Sequence, residues 1–410
     1  MTNRRKFDII VWGATGFTGR LVAEYLHSRY RNDPSLKWAM GGRNRAKLEQ
    51  VRTLVADDSV PLVTADSDDL ASLDAMTQQT KVILTTVGPY GKYGSKLVAV
   101  CVKNQTHYCD LAGEVPWMRQ MIDQHHQAAK SNGTKIVHTC GFDSIPSDMG
   151  VYYTQKQAIK QSGQPAKMIN MRVKALKGGV SGGTYASLND TVEKASKDKA
   201  LMAVLMNPYS LNPTGEQDGP DQQDLQSVVY DKISESWVYP FIMAGINTKV
   251  VRRSNALAGY PYGKAFQYDE SAMSGNGAFG RLKGISAASA LGIVMLAKPG
   301  SMLKKIVDWY LPEPGEGPDP AARSAGFYNM RFYATLHDGS VSVGKVTGDM
   351  DPGYGSTSKM MAECGVCLVK DQTPSVAGVL TPSIAMGDAL LKRLEENTGL
   401  TFTYQPKQKQ

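Results

Sequence analysis

The chain has 410 residues, 42% of them hydrophobic and 20% charged, which excludes a disordered or fibrous protein and leaves material for two or three globular domains. The formal net charge is +8, and a modest basic excess suits an anionic ligand or an anionic membrane surface. The basic residues are scattered, with no Lys/Arg run interleaved with aromatics, so no nucleic-acid partner is expected.

The first residues run straight into the apolar segment "FDIIVW", residues 7–12, which reads as a buried strand; no signal peptide and a cytoplasmic location are expected. "GATGFTG" follows, then a helix to about Arg31, stopped near Pro34. "KWAM" and "VPLVTAD" read as the second and third strands, with the helix "RAKLEQVRTLV" between them. "DLASLDAMTQQ" is helical, "KVILTTVG" a strand, "GSKLVAVCVKNQ" a helix, "HYCDLA" a short strand, "VPWMRQMIDQHHQAAKSNG" a helix and "TKIVHTC" a strand. Strand and helix alternate six times, the pattern of a doubly wound parallel sheet.

After Gly141 the rhythm changes. A helix is expected over "IPSDMGVYYTQKQAIKQSG", a strand over "KMINMRVKAL" and one helix over "GGTYASLNDTVEKASKDKALMA". Residues 207–235 are rich in Pro, Gly, Asp and Gln and read as a surface excursion; Leu311 to Pro320 reads as a linker. Asp338-Gly339 sits at the centre of an alternating segment, a hairpin signal, and helices follow from Thr357 to about Lys370 and from Pro382 to about Asn397. The expected fold class is α/β: a Rossmann-type doubly wound parallel sheet with an inserted α+β mixed-sheet second domain. The boundaries expected are 1–145 for the nucleotide domain, 146–352 for the inserted domain, and 353–410 for helices returning to the first.

Five cysteines, Cys101, Cys109, Cys140, Cys364 and Cys367, read as reduced thiols. The lone C-x-x-C at Cys364 reads as two small apolar residues one helical turn apart, and no metal is expected. The apolar stretch Ile285 to Ala297 is too short to span a bilayer. It is flanked by Arg281, Lys283, Lys298, Lys304 and Lys305, so peripheral membrane contact is weighed against a core helix or a homodimer contact.

Gly13, Gly16 and Gly19, spaced by three between a strand and a helix, form the main chemical signal. Gly13 lets the chain turn sharply, Gly16 clears a Cβ from the path of a pyrophosphate, and Gly19 lets the helix approach the sheet. Free N–H groups at the helix start, around Phe17, favour phosphate, and Thr15 and Thr18 can donate further bonds. Past the second strand, where NAD-binding proteins carry a carboxylate for the ribose hydroxyls, stand Gly41, Gly42 and Arg43. A guanidinium forks onto a 2′-phosphate that a carboxylate would repel. With Asn44, Arg45 and Lys47 beside Arg43, NADP(H) is the expected cofactor. Asp66, ending the third strand, is placed near the adenine. Val87, Gly88, Pro89 and Tyr90 end the fourth strand, under the nicotinamide ribose. Tyr90, Lys92 and Tyr93 are then candidates near the hydride-transfer position, Tyr90 and Lys92 as proton donors.

"GATGFTG", "VGPYGKYG", "HYCDLAGE", "GFDSIPSD" and "GVLTPSIAMGDALL" together resemble the saccharopine dehydrogenase-like oxidoreductases, over nearly the whole chain. Within that group the chain looks most like the bacterial trans-acting enoyl reductases and the animal saccharopine dehydrogenase-like oxidoreductases. The resemblance implies hydride transfer from NADPH to an enoyl thioester of a lipid or polyketide. It also implies that Phe142, Asp143 and Ser144 lie beside the nicotinamide, with Asp143 a third catalytic candidate; Asp143 or Ser147 read equally as a helix cap. Asp110 and Glu114 face the same crevice, as groups orienting the cofactor amide, as an acid if one is desolvated, or as solvated or structural carboxylates. A saccharopine-type C–N dehydrogenase would need a carboxylate clamp, for which Arg172, Arg252, Arg253, Arg323 and Arg331 are available without a telling spacing. Tyr152 and Lys156, one turn apart, raise a short-chain dehydrogenase reading. An NADPH-binding sensor without catalysis is a further alternative.

Overall fold

The computed structural model describes residues 5–178, 182–296 and 316–406. Its first half alternates as the pattern predicts: β1 (Phe7–Trp12), α1 (Phe17–Tyr30), β2 (Trp38–Gly42), α2 (Arg45–Val55), β3 (Leu62–Thr64), α3 (Leu70–Thr77), β4 (Thr80–Thr85), the single turn α4 (Tyr90–Tyr93), α5 (Ser95–Lys103), β5 (His107–Cys109), α6 (Val115–Asn132) and β6 (Lys135–Val137). β1 is buried at all six positions, as a parallel strand covered on both faces must be. Side-chain caps fix helix starts locally: Asn44 accepts from the Lys47 N–H at α2, and Asp69 from the Ala71 N–H at α3.

The remainder runs α7 (Ile145–Ser162), β7 (Met168–Lys177), α8 (Gly182–Lys197), α9 (Lys199–Met206), β8 (Val229–Asp231), β9 (Ser236–Tyr239), α10 (Ala244–Leu257), β10 (Gln267–Gly275), α11 (Gly277–Leu296), α12 (Pro320–Ser324), β11 (Phe327–Thr335), β12 (Val341–Gly348), α13 (Thr357–Lys370), β13 (Gly378–Leu380), α14 (Pro382–Asn397) and β14 (Thr401–Gln405). Among the described residues there are two seven-stranded sheets. The first has the order β13-β6-β5-β4-β1-β2-β3, every pair parallel. The second has the order β14-β12-β11-β7-β10-β9-β8 and is mixed, with β7 and β10 parallel and the other pairs antiparallel. Tyr328, Met330, Phe332 and Ala334 alternate along β11 into the core, and Gly339 takes φ +84° in the turn to β12.

Several elements differ from the sequence expectation. The helix expected from Gly182 breaks at Asp198, whose carboxylate caps α9 by accepting from the Ala200 N–H at 2.8 Å. The excursion after residue 207 is pinned inward: Tyr209, Leu211 and Asn212 are buried, and Arg119 donates to the carbonyls of Ser210 (3.2 Å) and Asn212 (2.7 Å). α10 has no counterpart in the sequence reading because it is buried on nearly every side, polar residues included, and so carries no amphipathic stripe. Beyond residue 352 both helices lie where expected, but two strands were not anticipated. β13 extends the first sheet beside β6, and β14 extends the second beside β12.

The apolar stretch from Ile285 lies on α11, which starts eight residues earlier. Added Cβ atoms at Gly280 and Gly284 would stand 2.2 Å from the Gly275 carbonyl oxygen and 2.8 Å from Ser274 Oγ, so these glycines seat the helix on the second sheet. Ala297, Lys298, Lys304, Lys305 and the start of the expected linker, 311–315, lie outside the described residues. Among the described residues no helix is long and apolar enough to cross a membrane. All five cysteines are buried free thiols, Cys364 and Cys367 on α13.

Candidate active site

The carboxyl ends of the parallel strands open onto a cleft of about 350 Å³, lined by Gly13, Thr15, Arg43, Asn44, Lys47, Asp66, Val87 and Tyr93 among others. The glycine turn fits a dinucleotide on steric grounds. Gly13 adopts φ +90°, and a Cβ there would meet Val87 Cγ2 at 2.7 Å. A Cβ on Gly19 would stand 2.1 Å from the Gly13 carbonyl oxygen, so only glycine lets α1 come this close to the strand end. Gly16 is exposed at the N-cap of α1; the N–H groups of Gly13, Ala14 and Gly16 are already bonded to the carbonyls of Gly41, Gly41 and Gly13, so a phosphate would be met by the N–H groups of the first turn of α1.

Arg43 and Lys47 are exposed on the cleft wall, while Asn44 is the N-cap of α2. The three stand at a helix N-terminus, where partial positive charge adds to theirs. Gly41 and Gly42 are both buried, and added Cβ atoms would meet Ile10 and Leu48, so their smallness serves packing, while Gly42 also lines the cleft. Asp66 lines the cleft and accepts from the Asp68 N–H at 2.9 Å.

Three candidates are displaced from the places expected for them. The Phe17 ring turns away from the cleft onto Tyr354 (4.8 Å between centroids), with the guanidinium groups of Arg20 and Arg323 over it. Its place at the start of α1 remains. Tyr90 is no proton donor at the cleft wall: its ring stacks on Trp117 at 5.7 Å, and its hydroxyl donates to the Thr85 carbonyl and accepts from the Leu111 N–H, both at 3.2 Å. Burial pushes that phenol well above its usual range. Lys92 is exposed and lies over the Tyr93 ring, and Tyr93 lines the cleft. The Gly88-Pro89 turn, with a cis peptide bond, is held by Glu114, which accepts from the Tyr90 N–H at 2.7 Å and the Gly91 N–H at 2.8 Å. Glu114 is therefore a bracket for this turn, and burial raises its carboxyl above the usual range.

At the carboxyl ends of β5 and β6 a second set of groups converges. Asp143 is partly exposed on the turn between β6 and α7, and burial pushes its carboxyl up to about 7, with the nearby Asp110 adding to the shift. The N-cap position of α7 is Ser144, not Asp143 or Ser147; Ser144 donates to Asn247 Oδ1 at 3.0 Å. Phe142 packs edge-on against Tyr328. Asp110 is fully buried and 2.7 Å from Nδ1 of the buried His138, a partner that sequence reading missed because a single His at a strand end gives no pattern.

The other motifs are absorbed structurally. Tyr152 and Lys156 both reach Asp388 on α14, at 3.0 and 2.5 Å, rather than forming a donor pair in the cleft. Arg172 is paired with Asp231 and Asp269, Arg252 with Asp221, and Arg253 donates to the carbonyls of Leu211 and Val379. These three buried guanidinium groups are committed to the interior and form no clamp for a substrate carboxylate.

Comparison with known proteins agrees with this geometry. The family model of the saccharopine dehydrogenase NADP binding domain matches residues 9–137. A Mycobacterium tuberculosis H37Rv protein provisionally named trans-acting enoyl reductase Rv2449c is 38% identical over 408 residues, covering 95% of this chain and 96% of that protein. The trans-acting enoyl reductase of Mycobacterium leprae is 34% identical over 406 residues, covering 96% of each chain. Among solved structures, saccharopine dehydrogenase (L-Glu forming) from Saccharomyces cerevisiae shares the fold, with a TM-score of 0.56 at 12% identity over 98% of this chain and 100% of that one.

Proposed function

This chain belongs to the trans-acting enoyl reductase family of saccharopine dehydrogenase-like oxidoreductases, and on that footing we propose that it reduces the C=C bond of an α,β-unsaturated acyl thioester made by a separate synthase. It is an NADP-dependent oxidoreductase. The observation that carries the choice of reaction is the likeness to named enoyl reductases along the full chain. The burial of Arg172, Arg252 and Arg253 among internal partners supports it against amino-acid chemistry by removing three of the five arginines available for a carboxylate clamp.

When bound, NADPH supplies the hydride. The residues proposed to hold it are Gly13, Thr15, Gly16 and Gly19 with the start of α1 at Phe17 and Thr18, Arg43, Asn44 and Lys47 at the 2′-phosphate, Asp66 and Tyr93 at the adenosine, and Val87, Gly88 and Pro89 under the nicotinamide ribose. Reduction of an enoyl thioester also needs a proton at the α-carbon. Asp143 is the proposed donor, because it stands on the turn between β6 and α7 with no side-chain partner among the described residues, and burial pushes its carboxyl up to about 7. Purified protein incubated with NADPH and a crotonyl thioester should oxidise the cofactor and yield the butyryl thioester. Oxidation only with an α-keto acid and an amine would favour the saccharopine type, and tight NADPH binding with neither would favour a sensor.

The peripheral contact weighed for Ile285–Ala297 is carried by one observation: Phe279, Leu282, Ile285 and Ile293 on α11 are exposed, beside the exposed Arg281 and Lys283. An anionic lipid surface fits that chemistry. Sedimentation with phosphatidylglycerol vesicles that is lost in Phe279→Ser/Leu282→Ser supports it; a concentration-dependent dimer lost in the same variant would instead assign the stripe to a second copy.

A further inference from the structure

We propose that Asp110 and His138 form a positioning pair that fixes the turn from Thr139 to Ser144 and so holds the Asp143 carboxyl at the carboxyl end of the first sheet. The inference deepens the reading of Asp143 as proton donor and rests on it.

Asp110 follows β5 and His138 follows β6, so the two stand side by side on neighbouring parallel strands. Nearly every polar atom of Asp110 is spent across that gap. Its Oδ2 faces His138 Nδ1 at 2.7 Å, and its Oδ1 accepts from the N–H groups of Ala112 (3.0 Å) and Thr139 (3.2 Å). Its own N–H donates to the Val137 carbonyl at 3.2 Å, and its carbonyl accepts from the Cys140 N–H at 2.7 Å. One residue thus grips the main chain on both sides of His138.

The gripped segment is strained. Thr139 adopts φ +60°, the left-handed region that a β-branched residue avoids. Such a conformation persists only where surrounding bonds over-determine it. Asp110 supplies one of those bonds, and Thr139 Oγ1 donates another to the His138 carbonyl at 2.7 Å. The hydrogen bond between Asp110 Oδ2 and His138 Nδ1 fixes the ring. Nε2 is buried without a partner among the described residues, and the Trp117 ring meets the imidazole edge-on at 5.0 Å.

Beyond Thr139 the turn is tied on its far side. A Cβ on Gly141 would strike Leu111 at 2.7 Å and Thr357 at 2.8 Å, and the Phe142 N–H donates to Thr357 Oγ1 at 3.0 Å. Asp143 is the residue this scaffold presents. The charged and titratable groups that act on it are Asp110 from the β5 turn and the phenol of Tyr90 from the β4 turn, with Glu114 behind Tyr90. The pair therefore acts through place and through field: it aims the carboxyl, and a carboxylate at Asp110 keeps the Asp143 proton from leaving early.

The test uses the full-length protein with NADPH and a crotonyl thioester, and follows the Asp143 carboxyl by 13C NMR against Asp143→Asn as the assignment blank. Asp110→Asn keeps shape and removes charge; the Asp143 midpoint should fall from near 7. Single-turnover reduction should slow by about tenfold while NADPH affinity stays within about twofold. His138→Leu should slow the reaction similarly, and His138→Asn, which keeps a donor where Nδ1 stood, should restore most of the rate. An unmoved Asp143 midpoint in Asp110→Asn overturns the proposal, and so does a wild-type rate in folded His138→Leu. If His138→Leu does not fold, the midpoint in Asp110→Asn decides alone. A wild-type rate in Asp143→Asn would instead remove Asp143 as donor, and the midpoint would still judge the pair.

Discussion

Arg43 carries one side chain's worth of the case for cofactor choice, and its position makes the prediction narrow. It is exposed on the cleft wall with Asn44 and Lys47, at the start of a helix whose dipole favours anions. A charge-assisted fork onto a phosphate is worth about 1.5–3 kcal/mol, so Arg43→Ala should weaken NADPH binding by roughly 10–100-fold. NADH, which lacks that phosphate, should lose no more than about threefold. Fluorescence titration of both cofactors measures the difference, and equal losses would remove Arg43 from the assigned contact. Gly19 makes a steric prediction instead. With only 2.1 Å between its added Cβ and the Gly13 carbonyl oxygen, Gly19→Ala must push α1 off the strand end. It should cost about 1–3 kcal/mol of stability and abolish measurable NADPH binding; a folded variant with unchanged affinity would contradict the close-packed turn.

At the scale of elements, legibility followed periodicity and burial. The strands and helices up to β6, the cap at Asn44 and the hairpin at Gly339 could be read because each has a local cause: continuous apolar runs, a capping side chain, a turn residue. α10 could not, because a helix buried with Asn247, Lys249, Arg252 and Arg253 along it presents neither stripe nor solvent face. β13 and β14 were missed because a strand of three or five residues is decided by the sheet that receives it. The site divided in the same way. The glycine turn and Arg43 follow from chain order, whereas the inward turn of Tyr90 depends on Trp117 and Leu111, which only the packed structure brings to it. Tyr152 and Lys156 show spacing without function: both close on Asp388 at the junction of α7 and α14. Tyr152→Phe should leave NADPH-dependent turnover unchanged and cost less than about 1 kcal/mol in chemical denaturation, since the pair is exposed. A loss of turnover at constant stability would revive a role for that tyrosine.

Across the whole molecule, a buried polar network joins the turn between β6 and α7 to the second sheet. Ser144 donates to Asn247, Asn247 donates to Glu270 at 3.0 Å, and the Tyr268 hydroxyl donates to Glu270 at 2.7 Å. Burial pushes the Glu270 carboxyl up to about 7, above its ordinary 4.5. A raised carboxyl binds its proton more tightly folded than unfolded, so its burial costs stability fully above the folded value and progressively less as pH falls toward the unfolded one. Glu270→Gln removes the charge that titrates. The variant's melting temperature relative to the unsubstituted protein should therefore rise between about pH 5 and pH 8, and a difference constant over that window would show that Glu270 does not titrate there.

The cleft, the family and the committed arginines converge on one reaction, and one assay addresses it most directly: NADPH oxidation by the purified full-length chain, with a crotonyl thioester offered beside an α-keto acid and an amine. The account predicts oxidation with the enoyl thioester, a saturated thioester as product, and NADPH strongly preferred over NADH. Oxidation confined to the keto acid and amine, or none with any acceptor despite tight NADPH binding, would contradict it.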